Sequence, residues 1–203
     1  MKIVGIYLAA GKSQRMGENK LALPVGKMSL GSLALETALH SSLHKVYVIT
    51  QGNGQWISSK LLTDDKLVVV TCSTAHEGQS ASLRCGIERA QIENADAAMV
   101  ILADQPFITA LMIDELIACM KKNSSCNYVA TSQGEQNIPP ILFSASMFPA
   151  LLTLTGDAGA RSLLQNKALY IGKQLPCGDK RLVFDVDTKE DYMEFLSMTN
   201  KLD

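Results

Sequence analysis

Leu8-Ala9-Ala10-Gly11-Lys12-Ser13-Gln14-Arg15-Met16-Gly17-Glu18-Asn19-Lys20 decides the fold because of what stands immediately before it. Ile3-Val4-Gly5-Ile6-Tyr7-Leu8 is apolar throughout and reads as a first β-strand, so the small and basic residues that follow form a loop at its carboxyl end. Small side chains let backbone N–H groups approach an anion closely, and Arg15 and Lys20 bring positive charge. Neither usual phosphate-loop pattern is present. Gly11 and Gly17 are six apart, Lys20 has no Ser or Thr after it, and no G-x-G-x-x-G follows the strand. The loop is of a different kind, read as an anion cradle beside the plainer reading of a loop with surface basic residues.

Outward from it, strands and helices alternate. Leu23-Pro24-Val25-Gly26-Lys27 is turn-rich, and Leu35, Leu39 and Leu43 then recur at helical spacing. Lys45–Thr50 and Leu67–Thr71 read as strands, the first closed by the turn Gln51-Gly52-Asn53-Gly54. His76-Glu77-Gly78-Gln79-Ser80-Ala81-Ser82-Leu83 leads into a helix with Leu83, Ile87 and Ala90 on one face. Ala97–Leu102 is a further strand, ending at Ala103-Asp104-Gln105-Pro106. Thr109 is placed to cap a helix bearing Ile113, Leu116, Ile117 and Met120, and Asn127–Thr131 follows as a strand. Strands apolar on both faces, alternating with helices, predict an α/β fold with a mostly parallel sheet covered on both sides. Ligands in such sheets sit beyond the carboxyl ends of the strands, where the glycine loop and Asp104 both fall.

The second half is less regular. Adjacent prolines in Ile138-Pro139-Pro140-Ile141-Leu142-Phe143 remove two ladder donors, which excludes a central strand on this reading. Gly156–Arg161 reads as the start of a short helix with Asp157 as its cap, and Leu182–Asp187 as a strand ending in two carboxylates. Thr188 with Asp191 approximates a capping box for a last helix carrying Tyr192, Phe195 and Leu196. No repeat or linker divides residues 1–203, so one domain is expected.

Composition narrows the partners. With 19 basic against 20 acidic residues the net charge is −1, which gives no electrostatic case for nucleic acid or an anionic membrane. The start has no signal-peptide core, and no apolar run reaches the roughly 18 residues of a membrane span, so a cytoplasmic protein is expected. The five cysteines form no C-x-x-C pair and read as structural thiols. His40 and His44 mimic a metal pair at i, i+4 but lack a third ligand, and His76 sits in a loop with no role assigned.

The residues themselves offer an electrostatic site. Arg15 can grip phosphate oxygens as a fork while Lys20 acts as a point charge. Asp104 at a strand's end is a suitable Mg²⁺ ligand, since that ion takes one or two carboxylates beside phosphate oxygens. Asp185 and Asp187 point to opposite sides of an extended chain, so only one readily faces the site. Each also has a plainer reading: Asp-Gln-Pro is ordinary turn chemistry, Asp187 can be a pre-helix residue, and Arg161 a surface charge.

The opening motif, L-A-A-G-x-S-x-R-M-G-x-x-K, closely resembles the signature of the MobA-like nucleotidyltransferases, in particular the molybdenum-cofactor cytidylyltransferases of the MocA type. Four later segments resemble family elements in the same order. Glu77–Leu83 is similar to G-x-S-x-S-L, Leu102–Pro106 to L-x-D-Q-P, Gly156–Arg161 to G-D-x-G-A-R, and Asp185–Asp191 to D-I-D-T-P-E-D. The resemblance implies a three-layer, Rossmann-like nucleotidyltransferase fold and a Mg²⁺-dependent transfer of CMP from CTP to molybdenum-charged molybdopterin, releasing pyrophosphate. It implies that Lys20, Arg15 and Asp104 are catalytic and that Asp104 with Asp187 (Asp185 staying open) holds the metal. Nucleotide contacts would come from Leu8, Ala9, Ala10, Gly11, Ser13, Arg15, Gly17, Lys20, Gly78, Ser80 and Ser82, and acceptor contacts from Pro140, Asp157 and Arg161. Ala9-Ala10-Gly11 matches cytidylyl members, whereas guanylyl relatives carry a second glycine.

Two positions depart from the pattern. Ile138-Pro139-Pro140 stands where many members have G-H-P, and Lys189 where the last motif has Pro. The first bears on the acceptor; relatives with Pro-Pro there serve purine catabolism, supplying cofactor to a molybdenum hydroxylase of the xanthine-dehydrogenase type. GTP or ATP as donor, a sugar phosphate or phosphocholine as acceptor, and a non-catalytic cofactor chaperone are the alternatives.

Overall fold

The inner strands of the first half, Ile3–Leu8, Lys45–Thr50 and Ala97–Leu102, are buried on both faces, and each face has a helical cover. β1 (Ile3–Leu8), β4 (Lys45–Thr50), β5 (Leu67–Thr71) and β6 (Ala97–Leu102) run parallel in the order β5-β4-β1-β6. The computed structural model describes residues 1–11, 16–17, 19–165 and 169–199. Side chains alternate across the sheet as its pleat requires. Ile3, Tyr7, Val48 and Met99 meet α1 (Leu30–His40) and α3 (Ala110–Lys122). Val4, Ile6, Ile49 and Val100 meet α2 (Gln79–Ile92) and α4 (Phe148–Leu152) on the other side. The α2 helix lies so close that a Cβ on Gly86 would run into Ile6. A small hairpin of β2 (Pro24–Val25) and β3 (Met28–Ser29) precedes α1.

The chain moves from β1 to β4 and β5 on one side, then returns to place β6 on the other. The crevice where strand order reverses therefore opens at the carboxyl ends of β1 and β6, the usual ligand position in open α/β sheets. β7 (Tyr128–Gln133), β8 (Gln136–Ser144) and β9 (Gly172–Pro176) extend the sheet to seven strands, with β8 antiparallel to both neighbours and β9 parallel to β7.

Several expectations need correction. The Pro139-Pro140 segment is a central strand after all, lying between β6 and β7. The prolines are accommodated because pairing with β6 stops at Ile141 and the β7 register jumps from Ala130↔Ile141 to Thr131↔Ile138. No ladder donor is asked of them. Leu182–Asp187 is not a strand; a 3₁₀ turn over Lys180–Val183, capped by Asp179, leads into an unpaired stretch. Val186 is fully buried there with Leu30 and Phe195, the seat of α5 (Lys189–Thr199). Conversely β9, mostly exposed and without alternation, gave no sequence signal. α1 ends at His40, leaving Leu43 and His44 outside it. The short helix after Gly156 is a 3₁₀ helix over Ala160–Gln165, so Asp157 occupies the preceding turn rather than its cap. The Thr109 cap is present, accepting from the Met112 N–H at 3.2 Å.

Candidate active site

Backbone pairing brings the site's two halves together. The Ala9 N–H donates to Ile49 O at 2.9 Å, and the Ala103 N–H to Leu8 O at 3.2 Å, so the ends of β1 and β6 stay in register up to Asp104. The Val186 N–H then donates to Asp104 O at 2.9 Å, which docks the C-terminal segment against the same strand end and sets Asp187 beside Asp104. Asp187 is held further by α5. Asp191 Oδ2 accepts from the N–H groups of Asp187 (3.0 Å) and Thr188 (2.7 Å), and the Asp191 N–H donates to Thr188 Oγ1 at 3.1 Å. That is the capping box expected from the sequence.

Lys20 joins these carboxylates. Asn19 accepts from the Leu21 N–H at 3.1 Å and starts a 3₁₀ turn over Lys20–Ala22 that buries the lysine to 8% exposure. Lys20 Nζ donates to Asp104 Oδ2 at 2.7 Å and to Asp187 Oδ1 at 2.8 Å. Burial pushes its ammonium down, but Asp104 and then Asp187 outweigh that and hold it above its ordinary value. The second oxygen of Asp104, Oδ1, is buried with no hydrogen-bond partner among the described residues. Asp185 remains open to solvent, yet surrounding protein and the Asp104 charge push its carboxyl up to about 6, against a Gln105 hydrogen bond.

A cavity of about 460 Å³ lies in front of this trio. Leu8, Ala9, Ala10 and Gly11 line one side with Lys20, Asp104 and Asp187; Gly78, Ser82 and Asp157 line the other. Sequence reasoning missed His76, Glu77 and Gln79, which also face it; their place beside Gly78 was the available signal. A second cavity of about 630 Å³ shares Ala9, Ala10 and Gly11 and is otherwise walled by residues 50–56, Asn19, Ala22 and Gly17. Ser80, expected at the nucleotide, is 1% exposed, absent from both cavity walls, and hydrogen-bonded to Gly156 O. Pro140 is buried, with its carbonyl taken by Thr131 Oγ1, and Arg161 is exposed; neither reaches the cavity wall. Ser13 and Arg15 lie outside the described residues.

Two carboxylates with one orphaned oxygen suit a hard divalent cation, which prefers oxygen donors. Among the described residues no three His, Cys, Asp or Glu side chains gather into a fuller cage. A metal held here would therefore complete its coordination with ligand oxygens. Among the described residues, too, no helix is long and apolar enough to cross a membrane.

Comparison with known proteins bears on the family and the fold. The MobA-like NTP transferase domain matches residues 5–172. The chain is 36% identical over 196 residues, 94% of each chain, to the purine catabolism protein PucB of Bacillus subtilis. The Rv0371c homologue from Mycobacterium sp. strain JC1 superposes with a TM-score of 0.81 at 25% identity, covering 100% of this chain and 98% of that one. Rv0371c of Mycobacterium tuberculosis, in a complex with manganese, gives 0.76 at 23% identity, covering 97% and 99%.

Proposed function

The chain belongs to the MobA-like NTP transferase family, and from that premise we propose that it is a Mg²⁺-dependent cytidylyltransferase joining CMP from CTP to molybdenum-charged molybdopterin. The observation that carries this is Lys20 set between Asp104 and Asp187 in the wall of the cavity that Leu8–Gly11 also line. A phosphate oxygen of the acceptor attacks the α-phosphorus in line, and the bond to the β-phosphate oxygen breaks, releasing pyrophosphate. Lys20, with Arg15 from the same loop, neutralises charge on the α-phosphate and the leaving group. The Leu8–Gly11 backbone cradles the triphosphate. Asp104 and Asp187 would hold the cation, whose contribution is further charge neutralisation on the phosphates. The manganese in the Rv0371c complex supports a divalent metal of this kind.

CTP is favoured over GTP by Ala10, a residue of both cavity walls, at the position where guanylyl relatives carry a second glycine. Likeness to a purine catabolism protein supports a client of the xanthine-dehydrogenase type. The test is pyrophosphate release with Mg²⁺ and molybdenum-charged molybdopterin, with CTP, GTP and ATP run in parallel. Release with CTP alone is expected. Release with GTP alone discards the Ala10 argument, and none with any nucleotide from folded protein discards the reaction.

A further inference from the structure

The chain from 154 to 160 is pressed against the start of α2 with no slack. Gly156 O accepts twice from Ser80, from its N–H at 3.1 Å and its hydroxyl at 2.7 Å. One turn along the helix, Arg84 Nη1 donates to Leu154 O at 2.6 Å, while Nη2 stands 3.6 Å from Glu77. Gly78 sits at a φ of +125°, where a side chain would be strained, and a Cβ there would collide with the Gly156 carbonyl. The same Cβ would come within 2.8 Å of Asp157 Oδ1. Gly78, Gln79 and Asp157 thus form one continuous stretch of cavity wall, built from two distant parts of the chain.

We infer that Ser80 and Arg84 are positioning residues for the acceptor: they fasten the 154–160 loop to α2 and so fix where Asp157 stands relative to the bound nucleotide. A hydroxyl serving as a nucleotide ligand has to face the cavity. That of Ser80 faces a carbonyl 76 residues further along the chain. Arg84 does the same work from the next turn, with a charged donor on a neutral carbonyl, the stronger kind of hydrogen bond. The inference rests on the proposed cytidylyltransferase reading and on the expectation that Asp157 contacts the acceptor, and it makes the acceptor side an extension of the nucleotide wall.

The test uses Ser80→Ala and Arg84→Met in the full chain. Ser80→Ala leaves the backbone N–H bond to Gly156 O in place, so it loosens the loop without orphaning the carbonyl. Three quantities are read: affinity for a non-hydrolysable CTP analogue without acceptor, the KM for acceptor in pyrophosphate release, and hydrogen exchange of 154–160. Each variant should raise the acceptor KM about fivefold to tenfold, as one lost hydrogen bond does, and speed exchange in the loop. Affinity for the analogue should stay within about twofold, a split that general damage to the fold would not give. Weakened analogue binding with an unchanged acceptor KM, or unchanged loop exchange, would overturn the inference. If the parent binds the analogue yet releases no pyrophosphate, the cytidylyltransferase reading fails, and analogue affinity with loop exchange still decides the clamp.

Discussion

Lys20 is the residue on which most depends, because it satisfies two carboxylates that a cation would otherwise claim. Replacing it with Ala should lower turnover about 10²- to 10³-fold, the usual loss for one preorganised electrostatic donor. The same variant should bind Mn²⁺ without nucleotide about tenfold more tightly, since one competing positive charge is gone; weaker binding in a calorimetric titration would contradict that. Glu93 shows the same physics away from the site. Hydrogen bonds from Lys2, then Tyr47 and Lys45, hold its carboxyl at about 2, well below the ordinary 4.5. A depressed carboxylate lends stability above its unfolded value and loses it as pH falls through its folded one. Glu93→Gln should therefore melt below the parent at neutral pH, the gap narrowing under pH 4.5 and closing near 2. Lys20 and Asp104 were legible in the sequence because their motifs are local. The hydrogen bond of Ser80 was not, since its partner Gly156 lies in another part of the fold.

At the scale of elements, α5 does more than cover the core. Its capping residue Asp191 takes the N–H groups of both Asp187 and Thr188, so helix start and site carboxylate share one anchor. Asp191→Ala should cost about 1 kcal/mol in a denaturant titration, as lost caps do, and should also weaken Mn²⁺ binding. Full stability with weakened metal binding would separate the two roles and refute the shared anchor. The capping box and the Thr109 cap were readable because each is a local signal spanning four residues. β8 was misread because a proline pair argues against ladder bonds only where bonds are required. Here the register shift and the end of the β6 pairing fall at that pair. The 182–187 segment was misread as a strand because Phe184 and Val186 are consumed by α5 and Leu30 instead of a neighbouring strand.

For the whole molecule, periodicity and strand ends were enough to predict a parallel sheet with its site at the carboxyl edge, and the observed order β5-β4-β1-β6 puts the reversal there. What periodicity could not carry was the far edge, where β9 is exposed and pairs only with β7. The lysine lodged between the two aspartates has a consequence for how the protein endures scarcity. A centre that supplies its own counter-charge does not fall apart when its ion is withdrawn. Dialysis against a chelator should abolish turnover yet leave the melting temperature nearly unchanged, and adding Mg²⁺ back should restore activity without refolding. Precipitation or an irreversible loss on chelation would contradict this. On the proposed metal-dependent reading, a protein built this way would wait through metal starvation intact, dormant and immediately recoverable.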